Sequence, residues 1–126
     1  MPTILLVDDS PTIRRMVRAA LSPLPDAQFV EAGSGLQAIE TLAVTSVDMM
    51  VLDLNMPDMH GLDVLKFVRA NHAYRDLPVV VLTTRGDETS RDAAVHAGAS
   101  AYMTKPFSPV ALASRAQQLL DPISHP

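Results

Sequence analysis

The chain has 126 residues, of which 48% are hydrophobic and 19% are charged, a composition typical of one globular domain with a sizeable core. Its net charge of −4, with no block of lysine or arginine, argues against direct nucleic-acid binding. No apolar run approaches the roughly 20 residues that span a membrane, and cysteine is absent, which excludes disulfides and thiolate metal sites. The N-terminus lacks the charged start of a signal peptide, so the sequence favours a cytoplasmic location.

The first half of the sequence alternates apolar runs with residues at helical spacing. Apolar, β-branched runs predict buried strands, and recurring apolar positions predict helices. Ser10 is a good N-cap, and Pro11 fits the first position of a helix. In chain order the sequence predicts a strand over Thr3–Val7, a helix with the stripe Ile13, Met16, Val17, Ala20 and Leu21, a strand over 28–31, a helix marked by Leu36, Ile39, Leu42 and Ala43, and a strand over 48–53.

The second half repeats this alternation. The predicted elements are a helix marked by Leu62, Leu65 and Val68, a strand over 77–82 that ends in Thr83, an Ala-rich helix over about 88–97, a strand over 100–103, and a helix after Ser108 with the stripe Leu112, Ala113, Ala116, Leu119 and Leu120. Five strand–helix units predict a parallel sheet with helices on both faces and right-handed crossovers. One domain is therefore expected over residues 1–121, followed by a short tail over 122–126.

Five polar side chains stand just after predicted strands. They are Asp8, Asp9, Asp53, Thr83 and Lys105. Because the carboxyl ends of parallel strands meet at one edge of such a sheet, these side chains are expected to converge. The carboxylate of Asp53 closes a strand buried on both faces, and it is costly to desolvate unless another group pairs with it.

The types of these residues predict phosphoryl chemistry. Crowded carboxylates raise one another's pKa, and a hard divalent cation relieves that repulsion. Oxygen ligands without cysteine or histidine suit Mg²⁺, which also bridges to phosphate oxygens. The ammonium group of Lys105 and the hydroxyl of Thr83 suit the oxygens of a phosphoryl group. Since an aspartate carboxylate can act as a nucleophile, the sequence predicts Mg²⁺-dependent phosphoryl transfer onto aspartate.

Five short motifs occur in a fixed order along the chain. They are Val7-Asp8-Asp9, Asp53-Leu54-Asn55-Met56-Pro57 with Gly61, Leu82-Thr83, Ala97-Gly98-Ala99 with Tyr102, and Lys105-Pro106-Phe107. In this order and spacing, the chain from residue 3 to about residue 120 resembles the receiver domain of response regulators in two-component signalling. The resemblance implies an α/β, flavodoxin-like, doubly wound sheet of five parallel strands in the order 2-1-3-4-5, with five helices.

The resemblance assigns a role to each acidic residue. It implies that Asp53 is the phosphoacceptor. Asp9 and Asp53 would ligate Mg²⁺ directly, together with the backbone carbonyl of Asn55. Asp8 would hold the metal mostly through water.

The resemblance also implies how a phosphoryl group is bound and sensed. Thr83 and Lys105 would bind the phosphoryl oxygens, and the Lys105–Pro106 peptide bond would be cis. Movement of Thr83 toward the phosphoryl group would let Tyr102, the switch aromatic, turn from an exposed to a buried position. This movement shifts the population between two packings of the surface made by the fourth helix, fifth strand and fifth helix.

The expected partners follow from the same resemblance. The phosphoryl donor would be a histidine kinase, and the receiver of the signal would be a downstream protein target, with neither nucleic acid nor membrane bound directly. The chain would be a signalling switch rather than an enzyme, as a monomer or as a weak dimer through the switching surface. The segments 13–17 and 97–100 are similar to those of chemotaxis-type single-domain regulators, and the tail looks too short for an output domain.

Two positions depart from the usual receiver pattern. Thr84 stands where receivers usually have alanine or glycine, and Arg85 follows it. The stiff, β-branched side chain of Thr84 is expected to narrow the path of attacking water. With Arg85 it would form a gate that slows self-catalysed loss of the phosphoryl group.

Three alternatives remain open at this point. The chain could be a receiver module from a larger regulator with a DNA-binding or enzymatic output domain. A haloacid-dehalogenase-like phosphatase uses similar residues, but it needs an acid two positions after the nucleophile, where Asn55 stands. A flavodoxin-like electron carrier would need a phosphate-binding loop where Asp8 and Asp9 stand.

Overall fold

Ten elements alternate along the chain, of which a computed structural model describes residues 1–56, 59–84 and 88–121. They are β1 (Thr3–Val7), α1 (Pro11–Leu21), β2 (Gln28–Ala32), α2 (Gly35–Val44), β3 (Met49–Asp53), α3 (Gly61–Ala70), β4 (Val79–Thr83), α4 (Glu88–His96), β5 (Ala101–Thr104) and α5 (Pro109–Leu120). Their ends differ from the predicted ones by one or two residues. None of these helices has the length and apolarity needed to cross a lipid bilayer. The predicted tail, 122–126, lies outside the described residues.

The five strands form one parallel sheet in the order β2-β1-β3-β4-β5, which confirms the predicted fold class. The central strand β3 pairs with β1 on one side and β4 on the other, and its last residue, Asp53, is opposite Leu82. Val7 of β1 is opposite Leu52, and Thr83 of β4 is opposite Thr104 of β5. The strand ends are therefore level, which brings the residues that follow them to one edge.

The core has two halves, one on each face of the sheet. Alternate residues of β1, β3 and β4 point to opposite faces, and nearly all of them are buried. One face packs against buried residues of α2, α3 and α4, namely Ala38, Leu42, Val64, Leu65, Val68 and Ala94. The other packs against buried residues of α1 and α5, namely Val17, Ala20, Leu21, Leu112 and Ala116. Helices on both faces explain why these strands are continuous apolar runs rather than alternating ones.

Part of the predicted helix patterning is wrong. Met16 and Leu36 were assigned to buried stripes, but they are 49% and 57% exposed, and Ala43 is exposed as well. The reason in α2 is close contact through a small residue, because a Cβ added to Gly35 would lie only 2.7 Å from Cβ of Met59. The helix turns this side inward, so Leu36 faces outward.

Gly61, at the start of α3, lies directly against the end of β3. A Cβ at this position would lie 2.6 Å from Cα of Leu54 and would also meet the carbonyl oxygen of Asp53. Both are backbone atoms, so they cannot swing away as a side chain would. We expect Gly61→Ala to lower the free energy of unfolding by about 1–3 kcal/mol, measured by urea denaturation.

Gly33 provides a matched control for this substitution. A Cβ there would lie 3.5 Å from the side-chain atoms of Arg14 and Gln37, which is ordinary van der Waals contact. Gly33→Ala should therefore change stability by no more than about 0.5 kcal/mol. Equal stability of the two variants would contradict the close packing inferred at Gly61.

Candidate functional site

Three carboxylates converge at the carboxyl edge of the sheet. Asp8 and Asp9 follow β1, and Asp53 ends β3. One oxygen from each of these carboxylates lies within 4.8 Å of the others, and we call this group the acidic cluster. Asp8 and Asp53 are only 4% and 2% exposed, whereas Asp9 is exposed. The acidic cluster thus has two buried members and one at the surface, and its donor set could hold a metal ion.

Lys105 reaches this cluster from the end of β5. Its Nζ atom lies 2.9 Å from Oδ2 of Asp8 and 3.1 Å from Oδ1 of Asp53. The Lys105–Pro106 peptide bond is cis, and the Lys105 amide donates a 2.7 Å hydrogen bond to the carbonyl of Thr83. This hydrogen bond holds the backbone of Lys105 beside the end of β4, and the side chain reaches from there to the carboxylates of Asp8 and Asp53.

The pKa values of Asp53 and Lys105 reflect the crowding of charged groups at this edge of the sheet. Burial raises the pKa of Asp53, and the charge of Asp8 adds to this, outweighing the lowering effects of the Asn55 amide and of Lys105. Burial alone would lower the pKa of Lys105, but its hydrogen bond to Asp8 and the charges of Asp53 and Asp8 raise it overall. Lys105 is therefore charged, and its single charge leaves the acidic cluster short of positive charge.

The two buried carboxylates, Asp8 and Asp53, differ in their hydrogen-bond partners. Oδ1 of Asp8 accepts a 2.9 Å hydrogen bond from the Ser10 amide, and Oδ2 pairs with Lys105, so both oxygens have protein partners. Oδ1 of Asp53 accepts a 3.1 Å hydrogen bond from the Asn55 amide and pairs with Lys105. The amide of Asn55 and the ammonium group of Lys105 thus both contact the same oxygen of Asp53.

Threonine hydroxyls complete this edge of the site. Thr83 ends β4 and is buried, and the side-chain amide of Asn55 donates a 3.3 Å hydrogen bond to its Oγ1 atom. The same amide donates a 3.0 Å hydrogen bond to Oγ1 of Thr84, which the sequence singled out as a gate residue. Arg85, the other predicted gate residue, lies outside the described residues.

Tyr102 is set apart from the acidic cluster. It lies on β5 opposite Val81, so β4 stands between it and the strand that carries Asp53. Its side chain is partly buried and packs against the half of the core that contains Val81.

The contacts of two residues near the site were not predicted. Arg14 donates a hydrogen bond to the backbone carbonyl of Asp8 and forms a 2.9 Å ion pair with Glu31. His60 caps α3, with Nδ1 accepting a 3.3 Å hydrogen bond from the Leu62 amide. The position of His60 before Gly61 was the only signal in the sequence, because histidine is not a common N-cap.

The raised pKa of Asp53 predicts an effect on stability. The folded chain holds the Asp53 proton more tightly than the unfolded chain, so the ionised carboxylate destabilises the fold above this raised pKa. Without divalent metal, Asp53→Asn should therefore raise the free energy of unfolding at pH 7, on the order of 1 kcal/mol. Urea denaturation should show this gain shrinking as pH falls toward the ordinary value near 3.8. A variant less stable than wild type at pH 7 in EDTA would contradict the predicted destabilisation of the fold by the ionised Asp53 carboxylate.

Comparison with known proteins gives consistent matches across nearly the whole chain. Residues 4–117 match the family described as the response regulator receiver domain. The chain is 37% identical over 118 residues to the chemotaxis protein CheY1 of Helicobacter pylori strain J99, covering 93% of this chain and 95% of that protein. It is also similar to the solved structure of the Vibrio cholerae chemotaxis protein CheY4, with a TM-score of 0.86, 32% identity, and coverage of 95% and 99%. The Mn²⁺-bound form of response regulator Rcp1 superimposes with a TM-score of 0.85 at 27% identity, covering 100% and 99%.

Proposed function

Because the chain belongs to the response regulator receiver family, we propose that it is a switch that accepts a phosphoryl group from a histidine kinase on Asp53. The observation that carries this proposal is the pairing of Lys105 with both buried members of the acidic cluster, at 2.9 and 3.1 Å. This arrangement puts a nucleophile, a metal-binding donor set and a mobile cation in one place. It supports transfer of phosphate rather than hydride or electron chemistry.

The proposed transfer is a displacement at phosphorus. A carboxylate oxygen of Asp53 attacks the phosphorus of a phosphohistidine, and a new O–P bond forms while the P–N bond breaks. The electron pair goes to the departing imidazole, which takes a proton from solvent. Lys105 would move from its ion pair toward a phosphoryl oxygen, and the hydroxyl of Thr83 would donate a hydrogen bond to another.

The acidic cluster would hold Mg²⁺. Asp9 and Asp53 would be direct ligands together with the carbonyl of Asn55, and Asp8 would act through water because both of its oxygens have protein partners. When bound, the ion would neutralise charge on the phosphoryl oxygens and on the carboxylates. The Mn²⁺-bound form of Rcp1 supports a divalent site in this fold.

The signal would leave through the surface made by α4, β5 and α5. A groove of about 760 Å³ lies there, with Arg91 of α4 and Arg115 of α5 among its lining residues. Tyr102 also lines this groove, so a change in its rotamer would alter the shape offered to a downstream protein target. Population shift between two packings would then carry the signal, in a monomer or in a weak dimer through this surface.

Phosphoryl uptake from a small donor tests the proposal. The protein is incubated with acetyl phosphate or phosphoramidate, in Mg²⁺ or in EDTA, and its intact mass is measured. We expect one phosphoryl group per chain in Mg²⁺ and almost none in EDTA. Absence of uptake with every donor, including a panel of phosphorylated histidine kinases, would refute the proposed function. Uptake unaffected by EDTA would refute the metal requirement.

A further inference from the structure

The side-chain amide of Asn55 bridges two consecutive threonines. Its Nδ2 atom lies 3.3 Å from Oγ1 of Thr83 and 3.0 Å from Oγ1 of Thr84. A carboxamide nitrogen has two N–H donors, so both hydrogen bonds can form at once. The backbone amide of the same residue donates to Asp53 at 3.1 Å. One residue thus connects the phosphoacceptor with both hydroxyls.

The two threonines differ in their surroundings. Thr83 is 1% exposed and belongs to β4, whereas Thr84 is exposed and follows the strand. The buried hydroxyl belongs to a strand of the sheet, and the exposed one gives the Asn55 carboxamide a second hydrogen-bond partner. The shorter of the two hydrogen bonds is the one to the exposed residue. Thr84 therefore restrains the orientation of the Asn55 carboxamide.

We propose that Thr84 is a positioning residue that acts through its hydroxyl rather than through its bulk, a role that rests on the proposed function. The hydroxyl fixes the direction of the Asn55 carboxamide, with its N–H donors turned toward the threonines, so the carboxamide cannot reorient toward water that attacks the aspartyl phosphate. In that attack the water oxygen bonds to phosphorus, the bond from phosphorus to the Asp53 oxygen breaks, and the water's proton passes to solvent. Anchoring Asn55 thus prolongs the phosphorylated state.

Substitutions at Thr84 separate the hydroxyl from the bulk. Thr84→Val keeps the shape and removes the hydroxyl, whereas Thr84→Ser keeps the hydroxyl and removes the methyl group. After loading with acetyl phosphate and removal of the donor, we expect the phosphoprotein of Thr84→Val to decay about threefold to tenfold faster than wild type, the equivalent of one hydrogen bond. Thr84→Ser should decay at the wild-type rate. In an Asn55→Ala background, Thr84→Val should have no effect, because the group it acts through is gone.

Other outcomes would overturn the proposal. Wild-type decay in Thr84→Val, with faster decay in Thr84→Ser, would assign the effect to bulk. Equal decay of the phosphoprotein in wild type and in both Thr84 variants would show that Thr84 has no role in its lifetime. A second readout does not depend on phosphoryl uptake: the side-chain amide NMR signal of Asn55 in the unmodified protein should shift in Thr84→Val and stay in place in Thr84→Ser. An unshifted signal in Thr84→Val would refute the anchor, whereas failure of wild type to take up phosphate would count only against the proposed function.

Discussion

Asp53→Asn is expected to abolish phosphoryl uptake, with a fall in initial rate of at least about a thousandfold. The carboxamide has nearly the same shape as the carboxylate, and its oxygen can still accept the hydrogen bond from the Asn55 amide. It carries no negative charge, so it is a poor nucleophile and a poor ligand for Mg²⁺. Intact mass after incubation with acetyl phosphate in Mg²⁺ measures the effect.

The control for this variant is Asp92→Asn. Asp92 is an exposed carboxylate on α4 and is not a member of the acidic cluster. The variant loses the same charge as Asp53→Asn, and it should take up the phosphoryl group at the wild-type rate. Uptake by Asp53→Asn at a rate within tenfold of this control would show that another residue accepts the phosphate.

Lys105→Met is expected to slow uptake by at least about tenfold, because the variant loses a cation that would pair with the transferred phosphoryl group. It should also lower the free energy of unfolding at pH 7 by about 2 kcal/mol in EDTA, since two buried carboxylates lose their partner. Mg²⁺ should restore part of this loss. Uptake is followed by intact mass and stability by urea denaturation.

The pH dependence of the stability that Lys105 contributes follows from its pKa. The pKa of Lys105 is raised in the fold, so its stabilising contribution is present at neutral pH and is lost only as pH rises through that raised value. Lys66→Met is the matched control, because Lys66 is an exposed lysine on α3. Equal stability of the two variants at pH 7 would contradict the ion pairs of Lys105.

The sequence was sufficient for the fold and for the main members of the site. Unbroken apolar runs predicted strands covered on both faces, and the polar residues that follow them had to meet at one edge. Asp8, Asp53 and Lys105 could be found in this way because each stands within two residues of a strand end. The convergence of their backbones follows from the level ends of parallel strands.

Contacts made by long or freely rotating side chains were not predictable in the same way. Arg69, on α3, donates hydrogen bonds to the carbonyls of Gly98 and Leu77 at 2.9 and 2.7 Å, and no periodicity in the sequence marks it. The hydrogen bond from Asn55 to Thr84 joins residues 29 positions apart and depends on both rotamers. The sequence identified Thr84 by its unusual size, but only the structure gives its partner.

The burial of Gly35 in α2 was also not predictable from the sequence. Helical spacing alone ranked Leu36 above Gly35 as a buried position, because periodicity is read from large apolar side chains. In the structure, α2 approaches its neighbours so closely that only a residue without a side chain fits. In α5, by contrast, Leu112 and Ala116 of the predicted stripe are both buried, so the phase of that helix was predicted correctly.

Chemical mapping of the modified residue would test the proposed phosphoacceptor most directly. The protein is loaded with acetyl phosphate in Mg²⁺, treated with sodium borohydride, which reduces an aspartyl phosphate to homoserine, and digested for peptide mass spectrometry. We expect homoserine at position 53 in the loaded sample and none in a sample prepared in EDTA. Homoserine at Asp8 or Asp9, or a phosphate retained on serine, threonine or histidine, would contradict the assignment of Asp53.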